Sequence, residues 1–305
     1  MTRDRDPVSP PVALTIAGSD AGGGAGIQAD LKTMTAHGVF GTAVVTATTA
    51  QNTRGVEDVH AVPADHVASQ YDAVIEDFDV GAVKTGMLAT APIVETATGL
   101  LARCSVPVVV DPVMVAATGD RLLSPAAEEA YEGLIERATL VTPNADEAAV
   151  LVDGPVETPA DAEAAGRELV ARGAGAALVK GGHLSGDGER VVDTLVIGGG
   201  GEDNEEAEGD EAVEDDEAGG GDEADGGTRT DPTVVRIETP RVATDATHGS
   251  GCALSSAIAA RLARGEPLRE AVAGAVDGMG AAIRRGYDVG DGPGAVNPTV
   301  FDDGR

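Results

Sequence analysis

The sequence predicts an α/β fold in which helices cover both faces of a mainly parallel sheet. Three observations lead to this prediction. Short runs of β-branched residues alternate with longer Ala-rich amphipathic stretches along most of the 305 residues. The short runs are continuously apolar, as expected of strands that are buried on both faces. The core must be aliphatic, because Trp is absent and Phe and Tyr number only three each.

The predicted elements follow one another at short intervals. Strands are expected at 12–17, 42–49, 80–84, 106–110, 139–142, 176–180, 191–197 and 233–239. Helices are expected at 26–37, 63–78, 92–104, 124–137, 146–151, 159–172, 249–264 and 267–287. Pro63 is expected at the first helical position, because the N–H that proline lacks would have no helical partner there.

A low-complexity segment separates the last two predicted strands. Residues 198–230 are dominated by Gly, Asp, Glu and Ala. Such a composition buries too little apolar surface to offset the entropy lost on ordering. We therefore expect a disordered acidic insertion at about 198–230. The rest would form a flexible N-terminal arm at 1–11 and a single domain over 12–305.

The chain is strongly acidic, and this excludes several classes of partner. Asp and Glu number 52 against 21 Lys and Arg, giving a formal net charge of −31. A nucleic acid or an anionic membrane surface would be repelled by this charge. Only three of the basic residues are lysines, and the acidity extends beyond the insertion. We expect a halophilic protein whose self-repulsion is screened by salt.

Signals for secretion, membrane insertion and disulfide formation are missing from the sequence. Cys104 and Cys252 are the only cysteines, too few for a disulfide framework. The first eleven residues contain no apolar stretch of the kind that signal peptides need, and no run approaches the length of a spanning helix. The sequence therefore predicts a cytoplasmic protein.

The strongest local motif is Thr-His-Gly-Ser-Gly-Cys at residues 247–252, before an Ala-rich helix. Its small residues let the backbone approach a ligand, and the free N–H groups of a first helical turn favour an anion. Such a turn can stabilise charge on a transferring phosphoryl group. Cys252 would lie where a helix N-terminus lowers a thiol pKa, and its thiolate could accept a proton from an alcohol. A Cys that only packs in a glycine turn is the alternative left open.

A glycine-rich segment, residues 17–30, connects the first strand to the first helix. Gly24, Gly26 and Ala29 match the G-x-G-x-x-A pattern of dinucleotide-binding folds. The second strand does not end in the acidic residue that such folds use for the ribose. An NAD-dependent dehydrogenase is therefore the weakest of the functions considered.

Three further segments follow predicted strands. Asn144 and Glu147 could hold a hydrated Mg²⁺ or form a capping box, and the local sequence does not separate the two. Asp111 and Lys180 stand at the ends of two other strands. All of these motifs lie at carboxyl ends of predicted strands, where open α/β sheets bind ligands.

Together, these segments resemble the hydroxymethylpyrimidine/phosphomethylpyrimidine kinases of thiamine biosynthesis. The likeness is carried by residues 13–33, 51–55, 84–87, 142–148, 180–183 and 247–252. It implies a ribokinase-like three-layer α/β/α sandwich that is usually dimeric. It also implies ATP- and Mg²⁺-dependent phosphorylation of 4-amino-5-hydroxymethyl-2-methylpyrimidine and then of its monophosphate. The insertion departs from the family, as does Ala21-Gly22 in place of Pro-Ser.

The resemblance also implies roles for individual residues. Cys252 would accept the proton, with the amides of Gly249, Ser250 and Gly251 beside it as an anion hole. The substrate-binding residues would be Gln51, Asp30, Ala25, Met87 and Val113. The ATP side would contain Asn144, Lys180 and Gly182, with Asp111 and Glu147 toward Mg²⁺. The amide of Gln51 offers a donor beside an acceptor, which complements an aminopyrimidine edge.

Two other functions remain as alternatives. Pyridoxal-type kinases phosphorylate a similar hydroxymethyl heteroaromatic, although Gln51 favours the aminopyrimidine. A non-catalytic pyrimidine-binding protein on the same fold would bind the ligand without turning over ATP. The expected partners are a small-molecule pyrimidine and a second copy of the chain, with no nucleic acid and no membrane.

Overall fold

The computed structural model describes residues 7–114, 127, 129–184, 188–199 and 231–301. These residues form a sheet of nine strands in the order β3-β2-β1-β4-β5-β6-β7-β8-β9. The strands are β1 (Val12–Ser19), β2 (Phe40–Asn52), β3 (Gly55–Ala61), β4 (Val80–Thr85), β5 (Val108–Val110), β6 (Leu140–Val141), β7 (Ala176–Val179), β8 (Arg190–Ile197) and β9 (Thr233–Pro240).

The central strands of the sheet run parallel; these are β1, β2, β4, β5, β6 and β7. β1 pairs in parallel with β2 and with β4, and the parallel pairing continues through β5, β6 and β7. The outer strands are antiparallel, because β3 folds back on β2 while β8 and β9 form a hairpin beside β7. The carboxyl ends of the parallel strands therefore lie together at one end of the sheet.

Helices cover both faces of this sheet. They are α1 (Gly26–Ala36), α2 (Ala64–Ile75), α3 (Ala91–Leu101), α4 (Glu132–Ile135), α5 (Ala145–Leu151), α6 (Pro159–Ala171), α7 (Ser250–Ala263) and α8 (Leu268–Arg284). One-turn 3-10 helices occur at Gly181–His183 and Pro298–Val300. None of the helices in the described part of the chain combines the length and apolar character needed to cross a bilayer.

The core is divided by the sheet into two layers of aliphatic side chains. Successive strand residues point to opposite faces, so Val83 packs with α2, α3 and α4, whereas Ala82 packs with α7 and α8. Helix α1 lies on the α7 side. The three-layer α/β/α architecture predicted from the sequence is confirmed.

Several local predictions were wrong, and each has a physical reason. Strand β3 was missed because it is a largely exposed outer strand with charged residues and no apolar run. Strand β2 extends to Asn52, which places Gln51 inside the strand. Pro63 occupies the N-cap of α2 and not the first helical position.

Parts of three predictions fall on residues that the structure does not describe. The acidic insertion expected at 198–230 lies outside the described residues from position 200 onward, and so do residues 1–6 of the expected N-terminal arm. The helix expected at 124–137 is described only in part, as α4.

Candidate active site

A cavity of about 890 Å³ opens at the carboxyl ends of the parallel strands. All but one of the site residues predicted from the sequence line it, drawn from seven separate segments of the chain. The lining includes Ala25, Gln51, Met87, Asp111, Val113, Asn144, Glu147, Lys180, Gly182, Gly249, Ser250, Gly251 and Cys252. The exception is Asp30, which is completely buried and is not among the lining residues. The expectation that these motifs converge is otherwise confirmed.

The 247–252 motif forms the turn that begins α7. Gly249 is the N-cap with φ of 78°, a left-handed conformation that suits glycine. A side chain there would also collide with the carbonyl oxygen of Gly24. The amide of Ser250 donates to the carbonyl of Thr247, so it closes the turn instead of facing a ligand. The amides of Gly251 and Cys252 lie in the first helical turn, where the helix provides no carbonyl partner.

The thiol of Cys252 differs from expectation. Burial raises the pKa of Cys252 to about 11, against the opposing effect of the Lys84 ammonium. The prediction that the helix N-terminus would lower this pKa was therefore wrong. Removal from water disfavours the thiolate by more than the nearby positive charge favours it. The thiol is protonated at neutral pH.

One ion pair, Lys84–Asp30, is sealed from solvent in the cavity wall, because Lys84 is among the lining residues but has no exposed surface. Both side chains are completely buried, and Nζ of Lys84 lies 2.9 and 3.0 Å from the two Asp30 oxygens. The hydroxyls of Thr15 and Ser256 donate to the same carboxylate at 2.6 and 2.7 Å. Asp30 thus has its acceptor sites filled by the protein, which explains why it does not line the cavity.

A second ion pair, Lys180–Asp111, opens into the cavity. Nζ of Lys180 lies 3.1 Å from Asp111 and 3.8 Å from Glu147, so one ammonium bridges two carboxylates. Burial opposes ionisation of Asp111, but Lys180 and Lys84 outweigh it and lower the pKa of Asp111. Burial raises the pKa of Glu147 to about 7, against the pull of Lys180.

Asn144 and Glu147 form the capping box that the sequence left open. The Asn144 side chain accepts from the Glu147 amide, and the Glu147 carboxylate accepts from the Asn144 amide, both at 2.8 Å. Both residues also line the cavity. The carboxylates of Asp111 and Glu147 therefore fit a hydrated Mg²⁺, which favours oxygen ligands and keeps several waters. The Lys180 ammonium already lies between them, which fits contact through water better than direct contact.

The glycine-rich loop between β1 and α1 is organised by Asp20. Its carboxylate accepts from the amides of Gly22, Gly24 and Ala25 at 2.7 to 3.1 Å. Nε2 of His248 lies 3.1 Å from the same carboxylate. Asp20 thus joins this loop to the turn at the start of α7. Burial raises the pKa of Asp20, but these hydrogen bonds outweigh it and lower that pKa overall.

The opposite end of the cavity is built on the turn after β7. The Asp193 carboxylate on β8 accepts from the Gly181 amide at 2.7 Å, and burial raises the pKa of Asp193. A side chain at Gly181 would collide with the carbonyl of Val192. The next residue, Gly182, accepts a hydrogen bond from Arg241 at 3.1 Å. These contacts hold the backbone of the turn against β8.

Four residues at the site were missed by sequence reasoning: Lys84, Asp20, His248 and Asp193. Lys84 carried a usable signal, because a lone Lys inside the apolar run 80–85 needs a buried partner. Asp20 and His248 stood in recognised motifs but had no assigned role. Asp193 gave no local signal, since its partner is the backbone of a distant turn.

Comparison with known proteins assigns the family. The profile described as phosphomethylpyrimidine kinase matches residues 20–224 and 217–297. A hydroxymethylpyrimidine/phosphomethylpyrimidine kinase of Streptomyces coelicolor is 43% identical over 298 residues, covering 97% of each chain. The chain belongs to the phosphomethylpyrimidine kinase family. The Escherichia coli kinase of the same name is 40% identical over 93% of this chain and 96% of its own.

Solved structures of two kinds of kinase resemble this fold. An ADP complex of Bacillus subtilis pyridoxal kinase has a TM-score of 0.78 and 30% identity, covering 96% of this chain and 99% of that one. The phosphomethylpyrimidine kinase of Clostridium difficile has a TM-score of 0.69 and 35% identity, covering 89% and 99%. The fold is therefore shared by both kinds of vitamin kinase, while sequence similarity favours the pyrimidine kinases.

Proposed function

We propose that this protein uses ATP to phosphorylate 4-amino-5-hydroxymethyl-2-methylpyrimidine and then phosphorylates the resulting monophosphate to the diphosphate, in thiamine biosynthesis. The observation that carries the proposal is the meeting of Cys252, the first turn of α7 and Gln51 around one cavity. The family assignment supports the same reaction. Residues 12–305 would act as one kinase domain, with the acidic insertion at about 198–230 as a loop within it.

The pyrimidine would bind toward the β1, β2 and β4 side of the cavity. Gln51 would read the aminopyrimidine edge, because its side chain offers both a donor and an acceptor. The Thr49 hydroxyl donates to the carbonyl of Ser19 at 2.9 Å and also lies 3.2 Å from the amide oxygen of Gln51. Met87 would pack on the ring, held in place by Thr46, which donates to its carbonyl at 2.6 Å. Ala25 and Val113 would complete the apolar wall.

In the first step, Cys252 would handle the proton. The substrate hydroxyl loses its proton to the Cys252 thiolate as its oxygen bonds to the γ-phosphorus of ATP. The bond from that phosphorus to the bridging oxygen breaks, and ADP leaves with the electron pair. Because the pKa of the thiol is about 11, the thiolate is scarce at neutral pH but strongly basic.

In the second step, a phosphate oxygen of the monophosphate is the nucleophile. It carries no proton that must be removed, so Cys252 should matter mostly for the first step. The amides of Gly251 and Cys252 would stabilise charge on the transferring phosphoryl group in both steps. Lys180 would contribute a mobile positive charge beside them, since its ammonium is within reach of position 251.

The nucleotide would occupy the β6 to β8 side of the cavity. Asn144, Lys180 and Gly182 would contact ATP there, and Asp111 and Glu147 would hold Mg²⁺ through water. When bound, Mg²⁺ would neutralise charge on the phosphates. The protein would be a cytoplasmic homodimer, adapted to high salt by its charge of −31.

The decisive test is product mass after incubation with ATP, Mg²⁺ and each candidate alcohol in molar KCl. Mono- and then diphosphate from hydroxymethylpyrimidine is the expected result. Product from pyridoxal alone would support the alternative function, a vitamin B6 kinase. This alternative is considered because a solved pyridoxal kinase has the same fold. No product from either, from protein that is folded at that salt, would favour a binding protein.

Cys252→Ala tests the division between the steps, with Cys104→Ala as the matched control. Cys104 lies between α3 and β5 and does not line the cavity. The Cys252 variant should lose at least about 100-fold in kcat for the first step, within the range of acid–base catalysis, and far less for the second. Equal losses in both steps would contradict the assigned role.

A further inference from the structure

We infer that Lys84 is a positioning residue of this kinase, whose ammonium is the fixed counter-charge for the Cys252 thiolate and is held in place by Asp30. This inference rests on the proposed role of Cys252 as proton acceptor. It gives Asp30, which the sequence placed among the substrate ligands, a different task.

The Lys84 ammonium is fixed by its surroundings. It has no exposed surface and lies 2.9 and 3.0 Å from the two oxygens of Asp30. Thr15 on β1 and Ser256 on α7 donate to the same carboxylate and so hold it from two elements. A buried carboxylate with four such contacts has no reason to rotate toward a ligand. These contacts assign Asp30 the task of anchoring Lys84.

The chain leaves space for this ammonium at Gly86. A Cβ at position 86 would lie only 2.9 Å from Nζ of Lys84 and 3.0 Å from Cβ of Ala17. In the described part of the chain, the ammonium has no hydrogen-bond partner besides Asp30, and Lys84 still lines the cavity. Lys84 and Cys252 therefore lie on the wall of the same cavity.

Four charged groups surround the Cys252 thiol. Asp30 comes from α1, Lys84 from β4, Asp111 from the end of β5 and Lys180 from the end of β7. After burial, Lys84 is the largest influence on the pKa of Cys252, and it acts to lower that pKa. Lys180 bridges two carboxylates that face the nucleotide side, so its charge is shared with them. Of the two cations, Lys84 is the one whose carboxylate partner is also completely buried, so it is the one fixed in position.

Ser256 places the same helix in contact with this pair. It lies four residues after Cys252, one turn along α7, and its hydroxyl donates to Asp30. The N-terminal end of α7, which carries Cys252, and the Lys84–Asp30 pair are therefore held in a fixed position relative to each other. Catalysis needs this kind of preorganisation, since charges already in position cost nothing to rearrange during reaction.

The test uses Lys84→Met/Asp30→Asn, which removes both charges together and leaves no unpaired ion. The readout is the alkylation rate of Cys252 by iodoacetamide between about pH 8 and pH 10, in a Cys104→Ser background. The rate at fixed pH should fall several-fold, because Lys84 lowers the pKa of Cys252 by more than Asp30 raises it. First-step kcat should fall by a similar factor, with second-step kcat unchanged within about twofold.

Ser256→Ala is the matched control, because it removes one neutral donor from Asp30 while Thr15 and the Lys84–Asp30 ion pair remain in place. It should lower stability while leaving the alkylation profile in place. Gly86→Ala is a second route to the same result, since the added methyl displaces the ammonium but keeps it in the protein. If the double variant does not fold, Gly86→Ala decides.

Two outcomes overturn the inference: an unchanged alkylation profile in the double variant, or equal losses in both phosphorylation steps. The alkylation measurement needs no substrate. It therefore still reports on Lys84 if no alcohol is phosphorylated, and failure of the proposed function is distinguished from failure of this inference.

Discussion

The two Lys–Asp pairs at the cavity contain the same residue types but differ in their access to water. In the Lys84–Asp30 pair, neither side chain has any exposed surface. In the Lys180–Asp111 pair, the lysine side chain is 15% exposed and faces the cavity. Even the serines that donate to the two carboxylates are neighbours on α7, Ser256 for Asp30 and Ser255 for Asp111.

The degree of burial determines whether a Lys–Asp ion pair is fixed or can exchange partners. A sealed pair cannot exchange partners, because separating its charges without water costs several kcal/mol. An open pair can exchange, since water and incoming phosphates can take the place of the carboxylate. The sealed pair therefore provides a fixed charge, and the open pair would provide one that follows the nucleotide in the proposed reaction.

Lys84→Met gives the largest expected effect on this comparison. It leaves the Asp30 carboxylate buried without its cation, so the free energy of unfolding should fall by about 3–5 kcal/mol. Urea unfolding at high salt measures this loss. Lys84→Met/Asp30→Asn should recover most of the stability. A single variant as stable as wild type would mean that the pair is not sealed.

Lys180→Met should affect catalysis more than stability. Loss of a charge beside the transferring phosphoryl group should reduce kcat by about 100-fold in both steps. The free energy of unfolding should fall by less than in Lys84→Met, because the Lys180 side chain is 15% exposed at the cavity whereas Lys84 has no exposed surface. Steady-state kinetics and urea unfolding of the same preparation provide both numbers. A stability loss that matches Lys84→Met would remove the distinction between the pairs.

Each of the two lysines has one glycine next to its ammonium, so the same Gly→Ala substitution can be made beside both. Gly86→Ala would bring a methyl within 2.9 Å of the sealed Lys84 ammonium, where it cannot be avoided, and should cost about 1–3 kcal/mol. Gly251→Ala would place a methyl 3.3 Å from the Lys180 ammonium, which can move into the cavity. It should leave the melting temperature within a few degrees of wild type and raise KM for ATP several-fold. Thermal unfolding compares the two variants, and similar losses would contradict the comparison.

The adjacent serines give the smallest expected effect. Ser256→Ala removes a donor from a carboxylate that water cannot reach, and should cost about 1.5–2 kcal/mol. Ser255→Ala should cost less than about 1 kcal/mol. Its single hydroxyl proton is shared among Asp111 and the carbonyls of Gly251 and Cys252, and its contact with Asp111 is 3.2 Å long, against 2.7 Å between Ser256 and Asp30. Chemical unfolding of the two variants side by side would sharpen the comparison, and a larger loss for Ser255→Ala would reverse it.

The open part of the site was largely predictable from the sequence. Asp111, Asn144 and Lys180 each follow an apolar run, and the ends of parallel strands meet at one end of a sheet. Their convergence follows from topology alone. The sequence could not decide whether Asn144 and Glu147 cap a helix or hold a cation, because both tasks use the same spacing. The structure shows the cap and leaves both side chains facing the cavity.

The sealed part of the site was not predictable from the sequence. Its residues are far apart along the chain, and the effect of burial on their charges depends on the tertiary packing. Lys84 and Asp30 are 54 residues apart, and no local pattern links them. Local sequence also gave the wrong sign for the pKa of Cys252. The helix N-terminus can be read from residues 249–252, whereas burial of the thiol depends on how α7 packs against β4 and α1.

The position of the β8–β9 connection determines how easily residues can be inserted there. The two strands pair as far as Ile197 opposite Thr233, so the chain between them leaves and returns at one place. That place lies beside Ala176, at the start of β7 and therefore at the far end of the sheet from the cavity. Lengthening such a connection costs only about 0.6 kcal/mol per doubling. Evolution could expand this junction freely, and a reporter domain spliced into it should leave the enzyme working.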